Sequence, residues 1–153
     1  KDEWGYLVEG NLEFECSLEF TGRLSVTGYI EAGDWIKAGD WIEAGGWIKA
    51  GGSIKAGDWI EAGGYIEAGD WIKAGGSYGI QAGLSITCKG KLSFGLKIFA
   101  GINTWREIDE EEKTITCGKL EGGTVEYGIV KELGLPEEEK VELTLDKSQS
   151  NLA

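Results

Sequence analysis

Apolar and polar positions follow each other along this chain in a frame that repeats every six residues. In the stretch "GDWIKAGDWIEAGGWIKAGGSIKAGDWIEAG", which starts at Gly33, an aliphatic residue is followed by a charged residue, an alanine and a glycine. The aliphatic position recurs far outside this stretch, at Leu12, Leu18, Leu24, Ile30, Ile36, Ile42, Ile48, Ile54, Ile60, Ile66 and Ile72 and, after a two-residue insertion, at Ile80, Ile86, Leu92 and Ile98. Side chains two residues apart on a strand point the same way. The frame therefore predicts strands with the aliphatic residue and alanine inside, and with tryptophan and the charged residue outside.

This six-residue frame excludes a helix and predicts an all-β solenoid. An aliphatic residue every six positions drifts around a 3.6-residue period, and a glycine inside a helix costs roughly 1 kcal/mol relative to alanine. The two positions between strands are glycine followed by aspartate or glycine, residues that bend the chain, glycine because it tolerates positive φ. Short strands joined by tight corners give a single-stranded β-solenoid, or β-helix, in which each coil pairs with the next.

The number of repeats in one coil has two solutions. Three repeats give a triangular 18-residue coil, and two give a flattened 12-residue coil. An 18-residue coil stacks Lys37, Lys55 and Lys73 in one row, whereas a 12-residue coil forms one row from Trp35, Trp47, Trp59 and Trp71. We expect the 18-residue coil, because a two-residue corner suits a turn of about 120° and six inward residues fill a triangle well. The 12-residue coil is the alternative.

The two ends of the repeat carry a different pattern. Phe14, Phe20 and Phe94 replace the inward alanine near the first and last coils, and larger residues there would plug the core as caps do. We predict a β-solenoid with an N-terminal capping coil over 1–101. Residues 102–147 are predicted to form a strand-rich C-terminal cap or extra coils with an acidic loop at 107–113, and 148–153 a tail.

Charge and composition exclude several partners. The 153-residue chain has a net charge of −12 and contains no histidine. A protein that binds nucleic acid or an anionic membrane surface needs a basic patch, so we predict neither partner. The lack of histidine removes the commonest general base and transition-metal ligand. Cys16, Cys88 and Cys117 are an odd number without a CxxC pair, which predicts structural thiols and a reducing, cytoplasmic location.

The acidic residues of the repeat and of the C-terminal region do not predict an active site. Asp34, Asp40, Asp58 and Asp70 are placed at corners, where aspartate forms turns, and only Asp40 and Asp58 would be close enough to share an ion in a triangular coil. The run "DEEEK" is typical of a solvated charge cluster. No Ser-His-Asp, Cys-His or phosphate-binding arrangement is present. We therefore predict no catalytic, cofactor-binding or metal-binding residues.

The large aromatic residues in front of the strands are the candidate interaction surface. All of them are predicted to point outward, which makes an apolar surface larger than a monomer tolerates. Stacking of each ring on its neighbours, together with burial against a second subunit or the C-terminal region, would cover it. Stacking of sugar rings on the indoles is the alternative. The candidate residues are Tyr29, Trp35, Trp41, Trp47, Trp59, Tyr65 and Trp71.

The phrase Ile-x-Ala-Gly-Asp, which recurs within about residues 28–83, resembles the repeats of bactofilins. These bacterial polymer-forming proteins have a right-handed triangular β-helix. Hexapeptide acyltransferases usually place the small residue before the aliphatic one, an order that this chain lacks. The resemblance implies a triangular β-helix with a structural role.

Together, these patterns predict a non-enzymatic structural or protein-interaction module that self-associates through an outward aromatic face. The expected partner is a second copy or another protein. A carbohydrate-binding module that uses the same tryptophans for a polysaccharide is the alternative.

Overall fold

The computed structural model describes residues 5–75 and 79–135, and they form a parallel β-solenoid. Nearly every strand is one repeat of the six-residue frame. The strands are β1 (Gly5–Val8), β2 (Leu12–Phe14), β3 (Leu18–Phe20), β4 (Arg23–Val26), β5 (Ile30–Ala32), β6 (Ile36–Ala38), β7 (Ile42–Ala44), β8 (Ile48–Ala50), β9 (Ile54–Ala56), β10 (Ile60–Ala62), β11 (Ile66–Ala68), β12 (Ile72–Ala74), β13 (Ile80–Ala82), β14 (Ile86–Cys88), β15 (Lys91–Ala100), β16 (Thr114–Cys117), β17 (Lys119–Tyr127) and β18 (Ile129–Glu132). A short 3-10 helix covers Glu111–Lys113.

Three strands make one coil, so the solenoid has three sides. Side 1 contains β1, β4, β7, β10 and β13; side 2 contains β2, β5, β8, β11, β14, β16 and β18; side 3 contains β3, β6, β9 and β12. The long strand β15 continues side 3 with its first half and side 1 with its second half. Ile48 pairs with Ile30 in the coil before it and with Ile66 in the coil after it, so that the register repeats with an 18-residue period. The predicted 18-residue coil is confirmed, and the 12-residue alternative is wrong.

The interior is filled by the two inward positions of each repeat. Every aliphatic residue from Leu24 to Ile98 in the frame is almost fully buried, and the alanines after them are nearly as buried. The core has no buried polar or charged residue within the described part of the chain. The predicted inward and outward frame is therefore confirmed, and the outward residues stand on a dry, continuous aliphatic core.

The first glycine of each corner is required by close approach between coils. A Cβ atom at Gly57 would lie 1.9 Å from the carbonyl oxygen of Gly39, one coil earlier, and one at Gly45 would lie 2.1 Å from that of Thr27. Neither glycine has positive φ. The sequence-based reason for these glycines was thus wrong, because the constraint is the space between stacked corners and not the left-handed conformation. The corners consequently continue the hydrogen-bond ladder, as in the 2.8 Å bond from the Asp58 N–H to the Asp40 carbonyl.

The insertion changes the spacing once without breaking the stack. Ile60 pairs with Ile80, and this coil is longer than the others because two residues are inserted near 75–79. Residues 76–78 of that insertion lie outside the described part. Beyond Ala100 the strands β16, β17 and β18 add further parallel pairs to the same stack. Strands are present in the described part of the predicted C-terminal region, up to Glu132, whereas the rest of that region at 136–147 and the predicted tail at 148–153 lie outside the described residues.

The phenylalanines at the two ends differ in burial. Phe94 is buried in the core, and Phe20 packs against the core together with Tyr6, the rings of Phe20 and Tyr6 meeting edge to face at 4.9 Å. Phe14 is 48% exposed, so the prediction that it plugs the core is wrong. Phe14 lies on β2, the terminal strand of side 2, so no earlier strand of its sheet covers it. The described residues contain no helix that is long and apolar enough to cross a membrane.

Candidate interaction surface

The seven predicted aromatic residues lie on all three sides of the solenoid. Each precedes a strand, and its carbonyl accepts a hydrogen bond from the preceding coil, such as the 2.9 Å bond from the Ile30 N–H to the Trp47 carbonyl. Side 1 carries Trp41 and Trp59, side 2 carries Tyr29, Trp47 and Tyr65, and side 3 carries Trp35 and Trp71, each directly before a strand of that side. Tryptophan often recurs at a 12-residue spacing while the coil has an 18-residue period, and this mismatch distributes the rings over three surfaces.

Side 2 presents a continuous stack of three rings, which we call the side 2 ladder. The centroids of Tyr29 and Trp47 are 4.2 Å apart with an interplanar angle of 6°, and those of Trp47 and Tyr65 are 5.8 Å apart with an angle of 1°. Such parallel pairs contribute about 0.5–1.5 kcal/mol each beyond the area that they bury. The Trp47 Nε1 is buried without a hydrogen-bond partner among the described residues. Stacking therefore accounts for the position of this indole better than polar contacts do.

A tyrosine–carboxylate contact orients the first ring of the side 2 ladder. The Tyr29 hydroxyl donates a 2.8 Å hydrogen bond to Glu13 Oε2 on the preceding coil. This bond to Glu13 is the main reason that the pKa of Tyr29 is raised above its usual value of 10.0. The phenol thus stays protonated and keeps its donor at neutral pH.

Side 1 carries a shorter stack that begins with a cation. The Arg23 guanidinium lies 5.1 Å from the centroid of the Trp41 ring, and Trp41 stacks on Trp59 with centroids 4.4 Å apart and an angle of 6°. Cation–π contacts of this kind contribute about 0.5–1 kcal/mol at exposed sites. Each coil therefore continues the stack of the coil before it.

Side 3 has an interrupted column. Strands β6, β9 and β12 pair in register, so Trp35, Ser53 and Trp71 occupy the same outward position on three successive coils. Ser53 replaces the ring on the middle coil, and Gly52 before it replaces the aspartate found at Asp34 and Asp70. The result is a surface cavity of about 440 Å³, here called the Trp35–Trp71 slot, lined by Glu19, Asp34, Trp35, Ile36, Lys37, Ser53, Lys55, Asp70 and Trp71.

Charges also stack in columns. The outward position of side 3 carries Lys37, Lys55 and Lys73 on successive coils, a basic row on an acidic protein. Lys37 Nζ lies 3.9 Å from Glu19 Oε1 at one end of this row. On side 1, Glu43 pairs directly with Glu61, and desolvation, with a smaller effect of Glu43, raises the pKa of Glu61 above 4.5.

Stacking buries much of the aromatic surface without help from another subunit. Six of the seven rings are half-buried, and only Trp71, at 40%, is exposed. Trp71 follows Ser53 in its column and so lacks a stacked ring on that coil. The described part of the C-terminal region extends the stack through β16, β17 and β18. Among the seven outward rings of the repeat, the one that is exposed is therefore the one beside the slot.

The structure also places the cysteines and the corner aspartates that the sequence analysis considered. Cys88 and Cys117 are buried, and desolvation raises their thiol pKa values to about 12 and about 11, so both remain protonated at neutral pH; Cys16 is exposed. Asp40 and Asp58 lie on successive corners of the same edge. Within residues 5–75 and 79–135, no group of three or more histidine, cysteine, aspartate or glutamate side chains is placed to hold a metal ion.

The sequence analysis missed two exposed aromatic residues, Trp105 and Tyr127, of which Trp105 is the more exposed. Trp105 lies in the segment between β15 and β16 and is 66% exposed. The signal that could have found it is its position, because it is a tryptophan outside the six-residue frame and next to the acidic run.

The polar groups of this segment bond to one another. The Trp105 N–H donates to Asn103 Oδ1 over 2.9 Å, and the Arg106 guanidinium lies 5.1 Å from the Trp105 ring centroid. Arg106 also forms a bidentate ion pair with Glu112, which lowers the pKa of Glu112 and raises that of Arg106. The Glu112 N–H in turn donates to Asp109 Oδ1 over 2.9 Å. Trp105 therefore projects from an internally braced loop.

Comparisons of the chain with protein-family models, curated proteins and solved structures found no significant match.

Proposed function

We propose that this protein is a non-enzymatic structural module that binds protein surfaces, and in the first place a second copy of itself, through its outward aromatic residues. The observation that carries the proposal is the interrupted column on side 3, where Trp71 is exposed beside a cavity that its own chain leaves open. Aromatic residues are enriched at interfaces because they bury a large area at little cost in side-chain entropy.

The scaffold suits this role. Coil-to-coil hydrogen bonds and a continuous aliphatic core hold the rings at fixed spacing, which limits the entropy lost on binding. The raised thiol pKa values of Cys88 and Cys117 make both groups poor nucleophiles. The resemblance of the repeat to bactofilin repeats also supports a structural role. The proposal includes that the protein belongs to a bactofilin-type family and that it is cytoplasmic.

The test is the molecular mass in solution across a concentration series, measured by sedimentation equilibrium. We expect the wild-type chain to self-associate and the double variant Trp35→Thr, Trp71→Thr to remain monomeric with unchanged β-type circular dichroism. Trp41→Thr, Trp59→Thr is the matched control, because it removes two rings from side 1 and leaves the slot intact. A wild-type chain that stays monomeric throughout would overturn the proposal.

A polysaccharide partner is the competing outcome of the same experiment. Sugar rings stack on indoles, and carboxylates and ammonium groups at the slot could bind sugar hydroxyls. Monomeric wild-type protein whose tryptophan emission shifts on adding a soluble polysaccharide would favour the carbohydrate-binding function instead.

A further inference from the structure

The Trp35–Trp71 slot has the dimensions of a site for one flat ring. On side 2, two rings that are two coils apart, Tyr29 and Tyr65, hold the Trp47 indole between them in a parallel stack. Trp35 and Trp71 are also two coils apart, about 10 Å at the usual strand spacing, but the residue between them is serine. The slot therefore lacks one indole that the neighbouring side possesses.

The chain carries an indole that is suitably presented elsewhere on its surface. Trp105 is 66% exposed and stands on a loop that Asn103, Arg106 and Glu112 brace from within. Because hydrogen bonds within the loop already restrict its backbone, less conformational entropy would be lost when its ring docks. The contact with Arg106, an exposed cation–π pair, would be exchanged for stacking on indoles.

The charges around the two features are complementary and directional. Lys37 and Lys55 line one edge of the slot, where Lys37 Nζ already lies 3.9 Å from Glu19 Oε1, whereas Asp34 and Asp70 line the corner edge. Trp105 is followed by exposed acidic residues, Glu107, Asp109, Glu110 and Glu111. A ring inserted with this acidic run over the lysine edge would pair opposite charges, and the reverse orientation would oppose carboxylates.

We propose that Trp105 of one copy inserts between Trp35 and Trp71 of a second copy, above Ser53, with the acidic residues after Trp105 lying over Lys37 and Lys55. This inference rests on the proposed function and names its partner and its contact. The ring and the slot are different surfaces of one chain, so the contact is heterologous, and each copy in a row can both give a ring and receive one. The product is an open chain of molecules unless the rotation between copies closes a ring.

Two single variants separate the two halves of this contact. Trp105→Ala removes the inserted ring and keeps the slot. Ser53→Trp fills the slot with the chain's own indole, as on side 2, and keeps Trp105. We expect each variant alone to be monomeric where the wild-type chain associates, because truncating a central aromatic anchor weakens binding by roughly tenfold or more.

Mixing the two variants is the decisive experiment. The Trp105→Ala protein offers an intact slot and the Ser53→Trp protein an intact ring, so an equimolar mixture should form a heterodimer with a single contact and no larger species. The double variant Trp105→Ala, Ser53→Trp is the control and should not join either partner. Circular dichroism of all three confirms that the solenoid is formed.

The outcomes distinguish this inference from the function on which it rests. A mixture that stays monomeric, or a Trp105→Ala variant that associates as the wild type does, overturns the inference while leaving self-association in place. A wild-type chain that is monomeric overturns both this inference and the proposed self-association. A monomeric wild-type chain that binds a polysaccharide, and loses that binding on Ser53→Trp, overturns both as well.

The proposed pairing of the acidic residues after Trp105 with Lys37 and Lys55 has its own test. Lys37→Glu, Lys55→Glu should weaken association of the wild-type slot several-fold at low salt, and adding Glu110→Lys, Glu111→Lys should restore much of it. A reversal without any effect at low ionic strength would overturn the proposed orientation of the loop.

Discussion

Sides 2 and 3 of this solenoid are built on the same core, and their aromatic columns differ in whether the middle coil carries a ring. Both have isoleucine and alanine inside on successive coils, in unbroken parallel register. Side 2 has the ring of Trp47 at its middle coil, and side 3 has the hydroxyl of Ser53. On side 2 the rings cover one another by stacking, whereas on side 3 Trp71 is exposed beside a cavity. A single small residue in a repetitive sequence thus opens a cavity where the neighbouring side has a filled stack.

The largest effect is expected beneath the surface, where the two sides are alike. Ile54→Lys would place an unpaired charge at a fully buried position under the slot, and we expect a loss of more than about 4 kcal/mol or failure to fold. Ile54→Val should cost only about 1 kcal/mol. Lys55→Glu, one residue later and outward between Lys37 and Lys73, should be neutral or stabilising. Urea denaturation compares the three, and equal costs for Ile54→Lys and Lys55→Glu would contradict the frame.

The next largest effect is expected when the aromatic column of side 2 is interrupted in the way that side 3 is. Trp47→Ser removes the middle ring of the side 2 ladder and with it two stacked contacts, so we expect a loss of about 2–3 kcal/mol in the free energy of unfolding. Trp47→Phe is the control, because it keeps a flat ring and removes the indole N–H that has no partner in the described structure. If serine and phenylalanine cost the same at this position, stacking does not stabilise the ladder.

The reverse change should stabilise the protein. Ser53→Trp completes the column on side 3, and the new ring should gain about 0.5–1.5 kcal/mol from each of its two stacked contacts, with Trp35 and with Trp71. Ser53→Ala is the matched control, since it adds no ring and should leave the unfolding midpoint nearly unchanged. A Ser53→Trp protein less stable than the Ser53→Ala protein would show that side 3 cannot accommodate the ring that side 2 holds.

The smallest effect concerns charges on side 1, where Glu61 lies next to Glu43 of the preceding coil. On side 2, by contrast, Lys49 lies between Glu31 and Glu67. The pKa of Glu61 is raised, so the folded protein holds this proton more tightly than the unfolded chain, and stability falls as the pH rises through 4.5 and the raised value. Glu61→Gln should therefore raise the unfolding temperature at pH 7 and lose this advantage below pH 4.5. Glu31→Gln is the control and should not gain stability at pH 7, since the cross-strand neighbour of Glu31 is the oppositely charged Lys49. If the gain in unfolding temperature at pH 7 is no larger for Glu61→Gln than for Glu31→Gln, desolvation and repulsion do not act at Glu61.

The sequence by itself determined the fold class and the direction of each side chain. Alternation within strands and glycine at corners admit only an all-β solenoid, since one register error would move every isoleucine to the surface. The outward aromatic residues could be named for the same reason. Local sequence also marks where the repeat ends, because the frame is lost after Gly101.

Only the tertiary structure decided which outward residues are neighbours. Neighbours on a solenoid are one coil apart, and the coil length is set by how inward side chains fill the interior and not by any local pattern. Once the coil closes with an 18-residue period, Trp47 falls between two rings and Ser53 between two tryptophans, although both occupy the same place in the repeat. Close stacking of the corners likewise explains the glycines as a requirement between coils. The exposure of Trp105 follows from the loop that its neighbours brace after the frame has ended, a contact pattern that a six-residue period does not contain.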